Sequence, residues 1–237
     1  MSDVPPPQHR PWAHADDAIP SPVPRFAAPA GAVALAASLV IAGLLAEDPH
    51  TPVLRGLDAV LTSAMTGPHD SLFTVAAAVV QAGIGGPPGL IGPFLLVGYL
   101  LVHRRWWSAL YAFLTCAVAN VLVILPLKSA VGRPRPADPW ILVNGGSFPS
   151  AHTYTAAALT VVLSAVISGR AARRRWWVSG AGFTLIVMWT SVWVHSNWPS
   201  DAVAGALAGA GTALLLWRAF SSLLKGEAEK DSGSGRG

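Results

Sequence analysis

Long apolar runs, broken by short polar islands, set the pattern of this chain. A helix that crosses a bilayer needs about 20 mostly apolar residues. Six stretches approach that length: 26–46, 88–103, 107–127, 152–168, 176–194 and 201–221. Two further helical stretches, 52–66 and 70–83, lie between the first and second, and a Gly/Pro-rich breaker from Gly83 to Gly89 follows them. There is no strand alternation and no clear internal repeat. The pattern predicts an all-α integral membrane bundle of six helices over 26–221, with short non-cytoplasmic helices between spans one and two. The stretch 70–83 reads either as a re-entrant segment or as part of span two.

The two ends differ from this core. Residues 1–25 carry Pro5, Pro6, Pro7, Pro11, Pro20, Pro22 and Pro24 among acids and arginines. Proline at that density prevents regular structure, so a disordered tail is predicted. Residues 222–237 are charged and Gly/Ser-rich and predict a second disordered tail. Leu44-Leu45-Ala46 lacks a small-x-small cleavage site, so the first apolar run reads as a retained anchor.

Composition agrees with a membrane protein. Only 12% of residues are charged and 52% are hydrophobic, against about 25% charged in soluble domains. Cys116 is the single cysteine, so no intrachain disulfide forms, and it reads as a small packing residue. The formal charge of +4 is small, and its placement carries more information than its size. The expected partners are the bilayer and a lipid; no nucleic acid is expected.

Lys/Arg placement gives an orientation. Arg104 and Arg105 separate spans two and three, and Arg170, Arg173, Arg174 and Arg175 separate spans four and five. Both loops fall on one side, together with both termini. Of the 16 Lys/Arg residues, the other side keeps only Arg55, Lys128, Arg133 and Arg135. The arginine-rich side is therefore expected to be cytoplasmic, in a bacterial plasma membrane. Trp106-Trp107 and Trp176-Trp177 flank the arginines as interfacial anchors do.

Three polar islands then land together on the non-cytoplasmic face. The first, Lys128 to Arg135, holds three cations around Gly132 and Pro134. Arginine suits bidentate phosphate contacts and lysine adds a mobile point charge. The second, Gly145 to His152, leads into span four. Free N–H groups at a helix start favour an anion there, Ser150 can cap the helix or donate to the anion, and His152 can act as a general acid. The third runs from Thr190 to Asp201 at the start of the last span. Asp201 either complements the helix dipole or orients a histidine.

The order and spacing of the islands resemble the type 2 phosphatidic acid phosphatase (PAP2) family, which shares its core with vanadium haloperoxidases. That family carries K-x6-R-P, then P-S-G-H, then S-R-x5-H-x3-D. Lys128, Arg135 and Pro136 match the first motif. Pro149, Ser150 and His152 match the second, with Ala151 in place of glycine, and Asp201 ends the third. The resemblance spans roughly 90–215. It implies a lipid phosphate or diphosphate phosphatase that needs no metal or other cofactor. Lys128, Arg135, Ser150 and backbone near Ala151 would hold the phosphate, with Arg133 as an additional outer cation. His152 would protonate the leaving oxygen. Candidate substrates by resemblance are phosphatidic acid, phosphatidylglycerophosphate and polyprenyl diphosphate.

The third motif departs from the family. Asn197 stands where the nucleophilic histidine belongs, and Ser191 where a phosphate-binding arginine belongs. His195 is near, but it lies six positions before Asp201 rather than four, about 600° of helical rotation. Two readings stay open. Either a bulged linker brings His195 into the nucleophile's role, or the protein binds lipid phosphates without cleaving them.

Overall fold

The computed structural model describes residues 23–47, 54–68, 71–84, 86–142, 144–167 and 169–234. Among these the regular structure is helical, with no strand. In chain order the helices are α1 (Ala27–Ala46), α2 (Arg55–Met65), α3 (Leu72–Ile84) and α4 (Gly86–Val102). After them come α5 (Trp106–Phe113), α6 (Ala119–Val131), α7 (Ala151–Val166), α8 (Arg170–Trp193) and α9 (Pro199–Ser234). A π-helical turn, Leu114–Val118, joins α5 to α6, so Trp106–Val131 is one rod of 26 residues. The expected Pro-rich tail lies outside the described residues except for 23–25, which lead into α1.

Among the described residues, three helices are long and apolar enough to cross a bilayer by themselves: α1, the α5–α6 rod and α9. Two of the other expected spans are helices shorter than the roughly 20 residues of a full crossing. The one placed at 88–103 is the 17-residue α4, and the one at 152–168 is the 16-residue α7. At 1.5 Å per residue these reach only about 24–26 Å. The span placed at 176–194 begins earlier, because the arginine cluster from Arg170 is already helical. Two short helices, α2 and α3, do lie between the first and second spans, and α3 is a helix separate from α4.

Small residues let the central helices approach closely. α7 buries 11 of its 16 residues, which makes it the axis of the bundle. It lies against α9 at Gly205 and Gly209. A Cβ at Gly209 would stand 2.2 Å from the carbonyl oxygen of Tyr154, and one at Gly205 would stand 2.3 Å from that of Ser150. This is the small-xxx-small packing of membrane helices. α1 crosses α9 in the same way, through Gly31 and Gly211, and the Ser38 hydroxyl donates to the Ala204 carbonyl at 3.0 Å. Tyr111 of α5 donates to the Ala213 carbonyl of α9, and Cys116 packs in the same apolar core. Val40, Leu95 and Leu122 are more than 60% exposed, as expected of side chains that face lipid.

The expected tail over 222–237 is a further correction, since α9 continues to Ser234. Arg105, the N-cap of α5, makes no side-chain cap, which leaves first-turn N–H groups without acceptors. Glu227 fills that gap from α9. Its carboxylate accepts from the N–H groups of Trp107 and Ser108 at 2.8 and 3.0 Å and from the Ser108 hydroxyl at 2.5 Å. A charge that reads as tail composition is thus a buried cap for another helix.

Candidate functional site

α6 ends at Gly132, which takes the left-handed conformation at φ +59° and donates its N–H to the Lys128 carbonyl at 3.0 Å. Glycine meets no Cβ penalty there. The turn leaves Lys128 in the last turn of the helix and sends Arg133 and Arg135 into the segment beyond. The loop at 144–147 lies across that segment. The Ser147 N–H donates to the Arg133 carbonyl at 2.8 Å, and a Cβ at Gly146 would come within 3.3 Å of the same oxygen. The loop carbonyls therefore point at the cations.

Lys128 donates to the Gly146 carbonyl at 2.6 Å. Arg135 donates from Nε to Gly145 at 3.1 Å and from Nη2 to Asn144 and Gly146 at 3.0 and 3.1 Å. Its Nη1 donates to the Ser196 carbonyl. Burial lowers the Arg135 pKa from its ordinary value, and the charge of Asp201 opposes that shift. Among the described residues no carboxylate bridges either cation. Carbonyl dipoles hold the pair in place and leave its charge uncompensated.

The two cations open on a cavity of about 860 Å³. α7 meets it end-on, through Ala151 and His152. Ser150 is the N-cap, with its hydroxyl facing the Thr153 N–H at 3.5 Å. The first N–H groups of a helix have no intrahelical acceptor, and the dipole favours an anion beside them. Asn197 and Asn144 add amides to the lining. α3 supplies Thr74, Val75, Ala78, Val79, Gln81 and Ala82, and Ile141 and Leu142 close the lining. α8 holds α3 there: Trp193 donates to the Thr74 hydroxyl at 3.1 Å, and the Gln81 amide donates to Val187 and Thr190 at 3.0 and 2.7 Å.

Five expected site residues fall elsewhere. Arg133 does not line the cavity. It is buried, donating from Nη1 to Asp201 and from Nη2 to Asp58, each at 2.6 Å, with its guanidinium over the Trp198 ring. Among the described residues no histidine donates to Asp201. Its second oxygen accepts from the Trp198 N–H at 2.9 Å, which is the carboxylate half of a capping box at the start of α9. Ser150 also lies outside the lining, as a buried cap.

His195 is the fourth, and a helix terminus explains its position. Past Val194, the C-cap of α8, the His195 N–H donates to Val192 and the Ser196 N–H to Ser191, each at 3.0 Å. This pairing is a Schellman motif, which needs a left-handed residue at the first position past the cap, and His195 takes it at φ +56°. The ring then stacks on Trp140, 4.9 Å between centroids, with Nδ1 3.0 Å from the Ala137 carbonyl. The same turn directs Asn197 into the cavity. Ser191 provides the motif's acceptor carbonyl and turns its own hydroxyl back to Met188 at 2.8 Å, away from the lining.

Sequence reasoning missed Asp58, Gln81 and Asn144. An acid inside a short helix on the cation-poor side is a readable signal for Asp58. Its partners are not readable: it accepts from the Ser200 N–H at 2.9 Å, 142 residues away. Gln81 and Asn144 carry no motif.

A family model for the PAP2 superfamily matches residues 105–224. No curated protein matches the chain. Among solved structures, the fold is similar to that described as the first transmembrane PAP2 type phosphatidylglycerolphosphate phosphatase from Bacillus subtilis. The TM-score is 0.63 and the identity 19%, over 83% of this chain and 96% of that one. At that identity the likeness is one of fold.

Proposed function

The chain belongs to the PAP2 superfamily, and from that premise we propose that it is a membrane phosphatase acting on a lipid phosphate or diphosphate at the non-cytoplasmic face. The observation that carries this reading is the pairing of Lys128 and Arg135 on carbonyls, beside the start of α7, in one cavity with His152. A phosphate dianion supplies the charge those groups lack. Arginine and the helix N-terminus grip its oxygens, and lysine adds point charge. His152 donates the proton that the leaving oxygen needs. The apolar side chains of α3, such as Val75 and Val79, give the lipid chain a surface to lie on. Phosphatidic acid, phosphatidylglycerophosphate and polyprenyl diphosphate share the required chemistry, and all three names rest on resemblance alone.

A second reading, binding without cleavage, is favoured by Asn197. It stands in the cavity at the family's nucleophile position, and an amide does not attack phosphorus. The test is phosphate release by purified protein from those three lipids, comparing wild type with His152→Ala. The phosphatase reading expects release that falls at least ~100-fold in the variant, the scale of general acid catalysis. Tight lipid binding with no release from any of the three supports the second reading.

A further inference from the structure

Among the described residues that line it, the cavity offers phosphorus no free nucleophile. Its hydroxyl belongs to Thr74, which donates to the Pro68 carbonyl and accepts from the Trp193 indole. Lys128 is bound as a cation to Gly146. The one imidazole in the lining is His152, the group required to protonate the leaving oxygen. Among the described residues no carboxylate lines the cavity to orient that ring, and Asp201 is committed to Arg133 and to the Trp198 N–H. His195 is stacked on Trp140 outside the lining.

We infer that hydrolysis here is a single displacement by water, positioned by Asn197, without a phosphorylated enzyme. The inference rests on the phosphatase reading above. The Asn197 side chain is held firmly: Nδ2 donates to the Ser147 carbonyl at 2.5 Å, and Oδ1 accepts from the Ser196 hydroxyl at 3.2 Å. Its own N–H donates to Ser191 in the turn that ends α8, at 3.2 Å. A primary amide has two donors and room for two acceptor bonds, so one N–H and one lone pair remain for a water molecule. Phosphoryl transfer passes through a loose, metaphosphate-like transition state, so a well-placed water needs orientation more than a strong base. Neutral amides fill that role in other phosphate-cleaving enzymes.

The water oxygen bonds to phosphorus as the bond to the lipid oxygen breaks. The lipid oxygen takes the proton of His152 and leaves as an alcohol (as a lipid monophosphate when the substrate is a diphosphate). The attacking water releases one proton to solvent, and a solvent proton restores His152.

Stereochemistry tests this directly, using a lipid thiophosphate made chiral at phosphorus with oxygen isotopes. One displacement inverts the configuration, whereas two displacements through a phosphoenzyme retain it. Wild-type protein is expected to give inversion, and acid or alkaline quenching with radiolabelled lipid phosphate is expected to trap no label on the protein. Retention, or label on His152, overturns the inference and leaves the phosphatase reading intact. No release from any lipid overturns both. For Asn197→Ala the expectation is a fall of about 100-fold in kcat with KM within twofold, because water positioning acts in the transition state. An unchanged kcat removes Asn197 from the role. The wild-type stereochemistry stands even where that variant does not fold.

Discussion

Arg133 and Asp201 meet at 2.6 Å in the protein interior, and the other guanidinium nitrogen of Arg133 meets Asp58 at the same distance. This bridge ties the segment after α6 to the starts of α2 and α9. It divides two arginines that stand two positions apart: Arg133 is spent on structure, and Arg135 faces the cavity. Removing a partner from a buried pair leaves uncompensated charge, at a cost of about 3–5 kcal/mol. Arg133→Ala is therefore expected to lower the thermal unfolding midpoint in detergent sharply. If Arg133 held phosphate instead, the variant would keep its melting temperature and raise KM.

His195→Ala is expected to leave phosphate release within twofold of wild type. The ring contacts Trp140 and the Ala137 carbonyl, and its position follows from the end of α8. Steady-state kinetics on the best lipid checks this, and loss of turnover would return His195 to the mechanism.

Gly209→Ala and Gly205→Ala are expected to destabilise the protein, while Gly226→Ala is not. The first two would drive a Cβ into backbone of α7, at 2.2 and 2.3 Å, whereas Gly226 has open space. The two damaging variants differ in a second readout. Gly205 presses on Ser150, the cap beside Ala151 and His152, so its variant is expected to raise KM in the fraction that stays folded. Melting curves and kinetics on detergent-purified variants separate the cases.

Glu227→Ala is expected to cost about 1–3 kcal/mol, the penalty of leaving buried donors unsatisfied. Three donors on Trp107 and Ser108 lose their acceptor. A chain ending at Phe220 is expected to show the same loss, and equal melting temperatures for wild type and Glu227→Ala would contradict the cap.

How much of this was legible in the sequence depends on the range of the interaction. Apolar run length located the helices, including α2 and α3, because hydrophobicity is a local property. Lys128, Arg135 and His152 drew notice because cations and a histidine are costly at the edge of apolar runs. The role of Arg133 was hidden, since its partners lie 75 and 68 positions away and charge alone does not choose between phosphate and carboxylate. His195 and Asn197 were ambiguous because no glycine marks the left-handed position; the helix terminus places a histidine there and sends the asparagine inward. Glu227 was lost for the same reason as Arg133, with its partners 119 and 120 positions upstream.

Lys128, Arg135 and the first turn of α7 together supply positive charge at the cavity. Turnover is expected to persist in excess chelator, and loss that is restored by a divalent cation would contradict that division of labour.

The most direct measurement is phosphate release from lipid phosphates by purified wild-type protein and by Arg135→Ala, which removes a cavity cation and spares the buried Arg133 bridge. The lipid-phosphate site predicts release by wild type and a loss of at least ~100-fold in the variant, since charge-assisted bonds to phosphate are among the strongest polar contacts. Equal release by both proteins, or failure of wild type to bind or cleave any lipid phosphate, would contradict it.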